Sequence, residues 1–144
     1  MRIDPATGHL HLGEGLITPA TTPADLGADF RLDEPRPVQV LERQVSCHFA
    51  HLALRDGLLD IELSLRFEEE RLVSLFLTLK DPADSDDDFD AALPRRERLH
   101  RHWLTARLGE QNDFPWGTAG VARDKSENVF IYLHNRNNGW AFAG

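Results

Sequence analysis

A single cysteine, Cys47, among 144 residues excludes an intramolecular disulfide and fits a reducing compartment. Positive charge is also scarce: 16 Lys and Arg face 24 Asp and Glu, a formal net charge of -8. Nucleic-acid binding requires a cationic surface that replaces counterions at phosphates, and anionic lipid attracts the same kind of surface. Neither partner is therefore expected. Apolar runs break within a few residues, far short of the roughly 20 needed to cross a bilayer. The opening segment MRIDPATGHLHLGEG lacks an apolar core stretch, so no signal peptide is expected. HExxH, a Cys/His quartet, GxSxG, a Walker loop and GxGxxG are all missing, and no metal or cofactor is expected. What remains is a soluble, acidic, cytoplasmic protein without a catalytic motif.

Enough is present to build a core. The hydrophobic fraction is 41%, and the length suits one domain over residues 1–144. Residues 1–37 are rich in Gly and Pro and read as a turn-rich ribbon packed on a main sheet. Within it, Thr22 before Pro23-Ala24-Asp25 has the cap, proline and acid of a brief helical turn. Residues 38–80 read as an antiparallel meander. Val38–Leu41 and Val45–Leu54 are extended, and Asp56-Gly57 supplies hairpin chemistry. Leu59, Ile61, Leu63, Leu65 and Phe67 then alternate with polar residues, the period of a half-buried strand. Val73, Leu75, Leu77 and Leu79 repeat the pattern, with Leu72, Ser74, Phe76 and Thr78 on the opposite face.

An acidic loop occupies residues 81–93, and the period changes after Pro94. Leu99, Trp103 and Ala106, widened by Leu104 and Leu108, form a helical stripe over 94–109, closed by Gly109. That stripe is expected to lie on the strand face bearing Leu59 to Phe67. A hairpin over 118–135 ends the pattern, with Val129, Ile131 and Leu133 alternating with Phe130, Tyr132 and His134. The expected fold is α+β: one antiparallel sheet, meander plus C-terminal hairpin, with one amphipathic helix on one face.

Candidate chemistry is sparse. Asp84, Asp86 and Asp88 have the alternate spacing of a calcium loop, but Phe89 replaces the turn glycine and Arg95 the closing glutamate. His9 and His11, His48 and His51, and His100 and His102 are scattered rather than clustered. Cys47, between Val45 and Phe49, reads as a small buried apolar residue rather than a nucleophile served by His48 or His100. Trp116 reads as a packing anchor. Clustered carboxylates steer cationic partners. The candidate contact residues are therefore Asp84, Asp86, Asp87, Asp88 and Asp90, then Glu68, Glu69 and Glu70, with Trp140 and Phe142 as apolar anchors if exposed.

Three stretches carry a resemblance. They are Gly13-Glu14-Gly15-Leu16-Ile17-Thr18 with Thr21-Thr22 and Asp25-Leu26, then Phe67-Glu68-Glu69-Glu70-Arg71-Leu72. The third joins Trp103-Leu104, Leu108-Gly109, Phe114-Pro115-Trp116-Gly117, Asp124-Lys125-Ser126 and Asn128-Val129-Phe130-Ile131. Together they resemble small bacterial proteins similar to immunity proteins of contact-dependent and polymorphic toxin systems. The resemblance implies an antiparallel α+β fold and a protein partner, a basic toxin domain neutralised by direct binding. It carries no catalytic residue. A secretion-type chaperone and a small-ligand protein or enzyme remain the alternatives.

Overall fold

A computed structural model describes residues 1–13, 15–84 and 89–138. The turn-rich front forms a small antiparallel sheet of its own: β1 (Arg2–Ile3), β2 (Leu10–Leu12) and β3 (Gly15–Ile17). A 3-10 turn follows at Pro23–Asp25, where the Thr22 amide donates to the Asp25 carboxylate at 2.9 Å. The chain then enters the main sheet through β4 (Arg31–Leu32), β5 (Arg36–Val40), β6 (Arg43–Asp56), β7 (Leu59–Glu68) and β8 (Arg71–Lys80). After the helix α1 (Phe89–Leu108) come β9 (Asp113–Phe114), β10 (Gly117–Arg123) and β11 (Val129–Asn135). The order across this sheet is β4-β6-β7-β8-β11-β10-β9, all antiparallel, with β5 pairing the front stretch of β6. The α+β class and the meander therefore stand, with the ribbon as a second sheet.

Local chemistry sets the reversals. The β6–β7 hairpin turns on Gly57 and Leu58, one residue later than Asp56-Gly57, because Asp56 pairs with Leu59. Gly57 sits at φ +59, the first-position glycine of a type II′ turn. The β7–β8 turn is less comfortable: Glu69 and Glu70 both hold positive φ, 51 and 65. Side chains crowd the backbone there, so non-glycine residues need outside support. Glu69 has it: its amide donates to the Ser46 carbonyl at 2.8 Å, and its carboxylate accepts from the Ser46 amide at 2.9 Å.

The inner face of the main sheet is apolar. Ile61, Leu63, Leu65 and Phe67 align with Leu79, Leu77, Leu75 and Leu72, and Ile131 and Leu133 continue the rows. A bulge between Arg66 and Phe67 keeps Leu72 on this face, opposite its sequence parity. Burying such a side chain contributes about 1.5–3 kcal/mol, and the helix stripe and ribbon complete the enclosure. Trp103 is buried, with the Arg107 guanidinium 3.7 Å above its ring. The helix lies over β11, β10 and β8 rather than over β7, while ribbon residues Ile3, Leu10 and Ile17 join the same core. Its start also differs. The helix begins at Phe89, five residues before Pro94, which therefore lies inside it. The proline forfeits one backbone bond, but the added turn buries Ala92 completely. The expected acidic loop 81–93 is shortened accordingly. No helix among the described residues is long and apolar enough to cross a membrane.

His100 joins helix to sheet. Past Leu77, β11 diverges from β8 and leaves the Leu79 N–H without a strand partner on that side. That N–H donates to His100 Nε2 at 3.0 Å, while His100 Nδ1–H donates to the Arg96 carbonyl. Acceptance at Nε2 requires the neutral ring, whereas the Nδ1–H bond to Arg96 is open to either form. Burial holds its pKa below the ordinary value, against the opposing effect of the Arg96 bond.

Candidate functional site

The helix and ribbon cover one face of the main sheet, and no other element among the described residues covers the opposite face. On that outer face, strand period two brings forward Phe49 and His51 of β6, Ser64, Arg66 and Glu68 of β7, and Ser74 and Phe76 of β8. Phe130, Tyr132 and His134 of β11 complete it. Two cross-strand rows result. One runs His51, Ser64, Phe76, Tyr132, Gly120, and the other Phe49, Arg66, Ser74, His134, Thr118. An ordinary solvated face alternates small and charged polar groups. This face carries four half-buried aromatic rings around an arginine.

The rings are mutually placed. Tyr132 stacks on His134 at 4.7 Å between centroids, and Phe76 meets Phe130 and His134 edge-on at 5.8 and 6.1 Å. Gly120 makes room for the phenol: a Cβ there would meet the Tyr132 hydroxyl at 2.5 Å. Arg66 lies 5.8 Å from the Phe49 ring centroid and donates through Nε to Glu68 at 3.0 Å. A groove of about 530 Å³ runs between these side chains, with Gln39 and Val40 of the β5–β6 hairpin on one flank and Asn138 on another.

Two Ser–His pairs fix the polar groups. Ser64 Oγ lies 2.9 Å from His51 Nδ1, and His51 Nε2 lies 2.8 Å from the Asp33 carboxylate. The His51 bond, chiefly, holds the Asp33 carboxyl below its usual range. Ser74 Oγ lies 2.6 Å from His134 Nδ1 and accepts from the Asn138 amide at 2.8 Å. The first set has the connectivity of a hydrolytic triad, but Ser64 sits mid-strand between two paired neighbours. Its neighbouring backbone N–H groups are taken up by the ladders rather than aimed at the hydroxyl. Both Ser–His contacts order the face.

The described acidic residues named from the sequence fall in separate parts of the fold, and all but Glu68 lie away from this groove. Asp84 binds Arg95 at 2.9 Å and lies 3.9 Å from Arg96, so its charge is largely met within the chain. Asp90 is exposed in the first helical turn. Glu69 and Glu70 lie at the other end of β8, about 30 Å away along ten residues, beside the buried Glu68. Among the described members of the set, only Glu68 lines the outer-face groove. Asp86, Asp87, Asp88, Trp140 and Phe142 lie outside the described residues.

Histidines and cysteine separate likewise. His48 stacks on Phe67 at 5.4 Å on the inner face, whereas Cys47 is buried on the outer side of the same strand. Burial pushes the Cys47 thiol up, away from thiolate chemistry. Trp116 is a packing residue, as read from the sequence. It stacks on Phe114 at 4.9 Å, donates to the Pro5 carbonyl, and is so close to Gly8 that a Cβ there would lie 2.5 Å from its ring. The missed residues are Arg66, Phe76, Tyr132 and His134. Their signal was the aromatic and cationic content of the strands' outward positions. The chain matches no protein-family model, no curated protein and no solved structure.

Proposed function

We propose that this chain is a protein-binding module that works from the outer face of its sheet. The observation carrying the reading is Arg66 set among Phe49, Phe76, Phe130 and Tyr132 on the face that neither helix nor ribbon covers. Aromatic residues and arginine are enriched at interface centres, where they anchor complexes in desolvated pockets. The resemblance to immunity proteins supplies the partner: a basic toxin domain whose active surface this face occludes, in the cytoplasm of the producing cell. The net charge of -8 favours encounter with such a partner, while the aromatic anchors slow its escape.

Co-purification from the native host, followed by an activity assay of the captured protein, tests this. The expected result is a stoichiometric complex with a cationic toxin domain whose activity is suppressed, with association slowing as salt rises. A captured partner with no toxic activity, or unchanged toxicity in the complex, contradicts the immunity reading. A partner retained equally well by Arg66→Ala and Tyr132→Ala contradicts the surface.

A further inference from the structure

The outer-face groove also has the makings of a small-molecule site, independent of whether a protein docks over the face. Its apolar walls are Phe76, Phe130 and Tyr132, a slot suited to a flat ring. Its polar lining includes two groups able to donate to an anion, Arg66 and His134, beside the Glu68 carboxylate. Arg66 commits only Nε, to Glu68, and its two terminal amino groups have no hydrogen-bond partner among the described residues. Glu68 is itself buried, so the pair fixes the guanidinium in place rather than releasing it to solvent.

His134 adds a second donor. Its Nδ1 faces two donors, the Ser74 hydroxyl at 2.6 Å and the Asn138 amide N–H group at 3.5 Å, while Asn138 also donates to Ser74 Oγ. Nδ1 is therefore an acceptor, and the proton of the neutral ring sits on Nε2. That atom has no partner among the described residues and is not buried. Charged groups facing His134 are Arg66 and Glu68 of β7, while its neighbours Ser74 and Phe76 of β8 and Thr118 and Gly120 of β10 carry none. Burial and then Arg66 hold the imidazole pKa down. An anion between the two donors reverses that bias.

We propose that the groove binds a small aromatic carboxylate, its carboxylate between the Arg66 terminal amino groups and His134 Nε2 and its ring among Phe76, Phe130 and Tyr132. Guanidinium presents paired N–H groups that match a carboxylate in one plane, and a ring in the slot excludes water from that contact.

Calorimetric titration of the full chain with 3-phenylpropionate and with 3-phenylpropanol tests the assignment. The expected result is saturable one-site binding of the acid, at least ten-fold tighter than the alcohol. Arg66→Gln should erase that difference, and the His134 imidazole signal in NMR should titrate at higher pH when the acid is bound. If Arg66→Gln does not fold, Gly120→Ala gives a second reading, because displacing Tyr132 should weaken acid and alcohol alike. Equal affinities for acid and alcohol, no binding of either, or an unmoved His134 titration would overturn the proposal.

Discussion

Glu70 is held at φ +65 with an exposed side chain, and no hydrogen bond repays the conformation as the Ser46 contacts do for Glu69. A left-handed non-glycine residue costs about 1–2 kcal/mol. Glu70→Gly removes the crowding and adds back some unfolded-chain entropy, so the net gain should be about 0.5–1 kcal/mol. Urea denaturation measures it, and a lower midpoint would mean that Glu70 makes a contact outweighing its strain. At His100 the residue-scale argument concerns protons. Its folded pKa lies below the unfolded value near 6.5, so the unfolded chain binds a proton that the native state refuses. The stability this confers is complete above about pH 6.5 and is lost as the pH falls through the folded pKa. His134 acts in the same direction. The Asp33 and Asp56 carboxyls are held below the ordinary carboxylate range, outside that window. Denaturation midpoints should therefore fall between pH 7 and 5, and His100→Gln should flatten the decline. A flat profile in the parent would contradict the neutral buried ring.

Elements show how far sequence alone reaches. Leu59 to Phe67 declared β7 because a half-buried strand alternates every second residue, and the inner rows of β8 and β11 followed from the same period. Of the helix stripe, Leu99, Trp103, Leu104 and Leu108 join the core, but Ala106 is exposed, and Pro94 misplaced the start by five residues. Proline favours a first turn, and only tertiary burial of Ala92 shows why this helix begins earlier. Which strands the helix covers depended on the ribbon, whose two- and three-residue strands carry too few positions to show a period. Trp103 joins these levels. It is buried beneath the helix, with Arg107 stacked above it and reaching Asp56 at 2.9 Å on the β6–β7 turn. Trp103→Ala should cost about 3–5 kcal/mol by thermal or urea unfolding. Melting indistinguishable from the parent would mean that the helix contributes little to the core.

For the whole molecule, what matters is which face is left uncovered. Among the described residues, one helix and a three-stranded ribbon cover one side of an eight-stranded sheet and none covers the other. The acidic residues drew attention in the sequence because charge clusters are visible in one dimension. Arg66, Phe76, Tyr132 and His134 stand on three strands, and only the β7–β8–β11 pairing makes them neighbours. In the proposed binding role, charge and surface would divide the work: acidity would raise the encounter rate over distances near the Debye length, about 8 Å at physiological salt, and the aromatic face would supply the contact.

The central claim is that this outer face is where the protein binds its partner. Its most direct test compares the affinity of the captured partner for Tyr132→Ala with that for Arg98→Ala, an exposed change on the helix side. The expected outcome is a loss of at least 30-fold for Tyr132→Ala, about 2 kcal/mol by the hot-spot scale, and less than 3-fold for Arg98→Ala. Equal small effects, or a greater loss on the helix side, would contradict it.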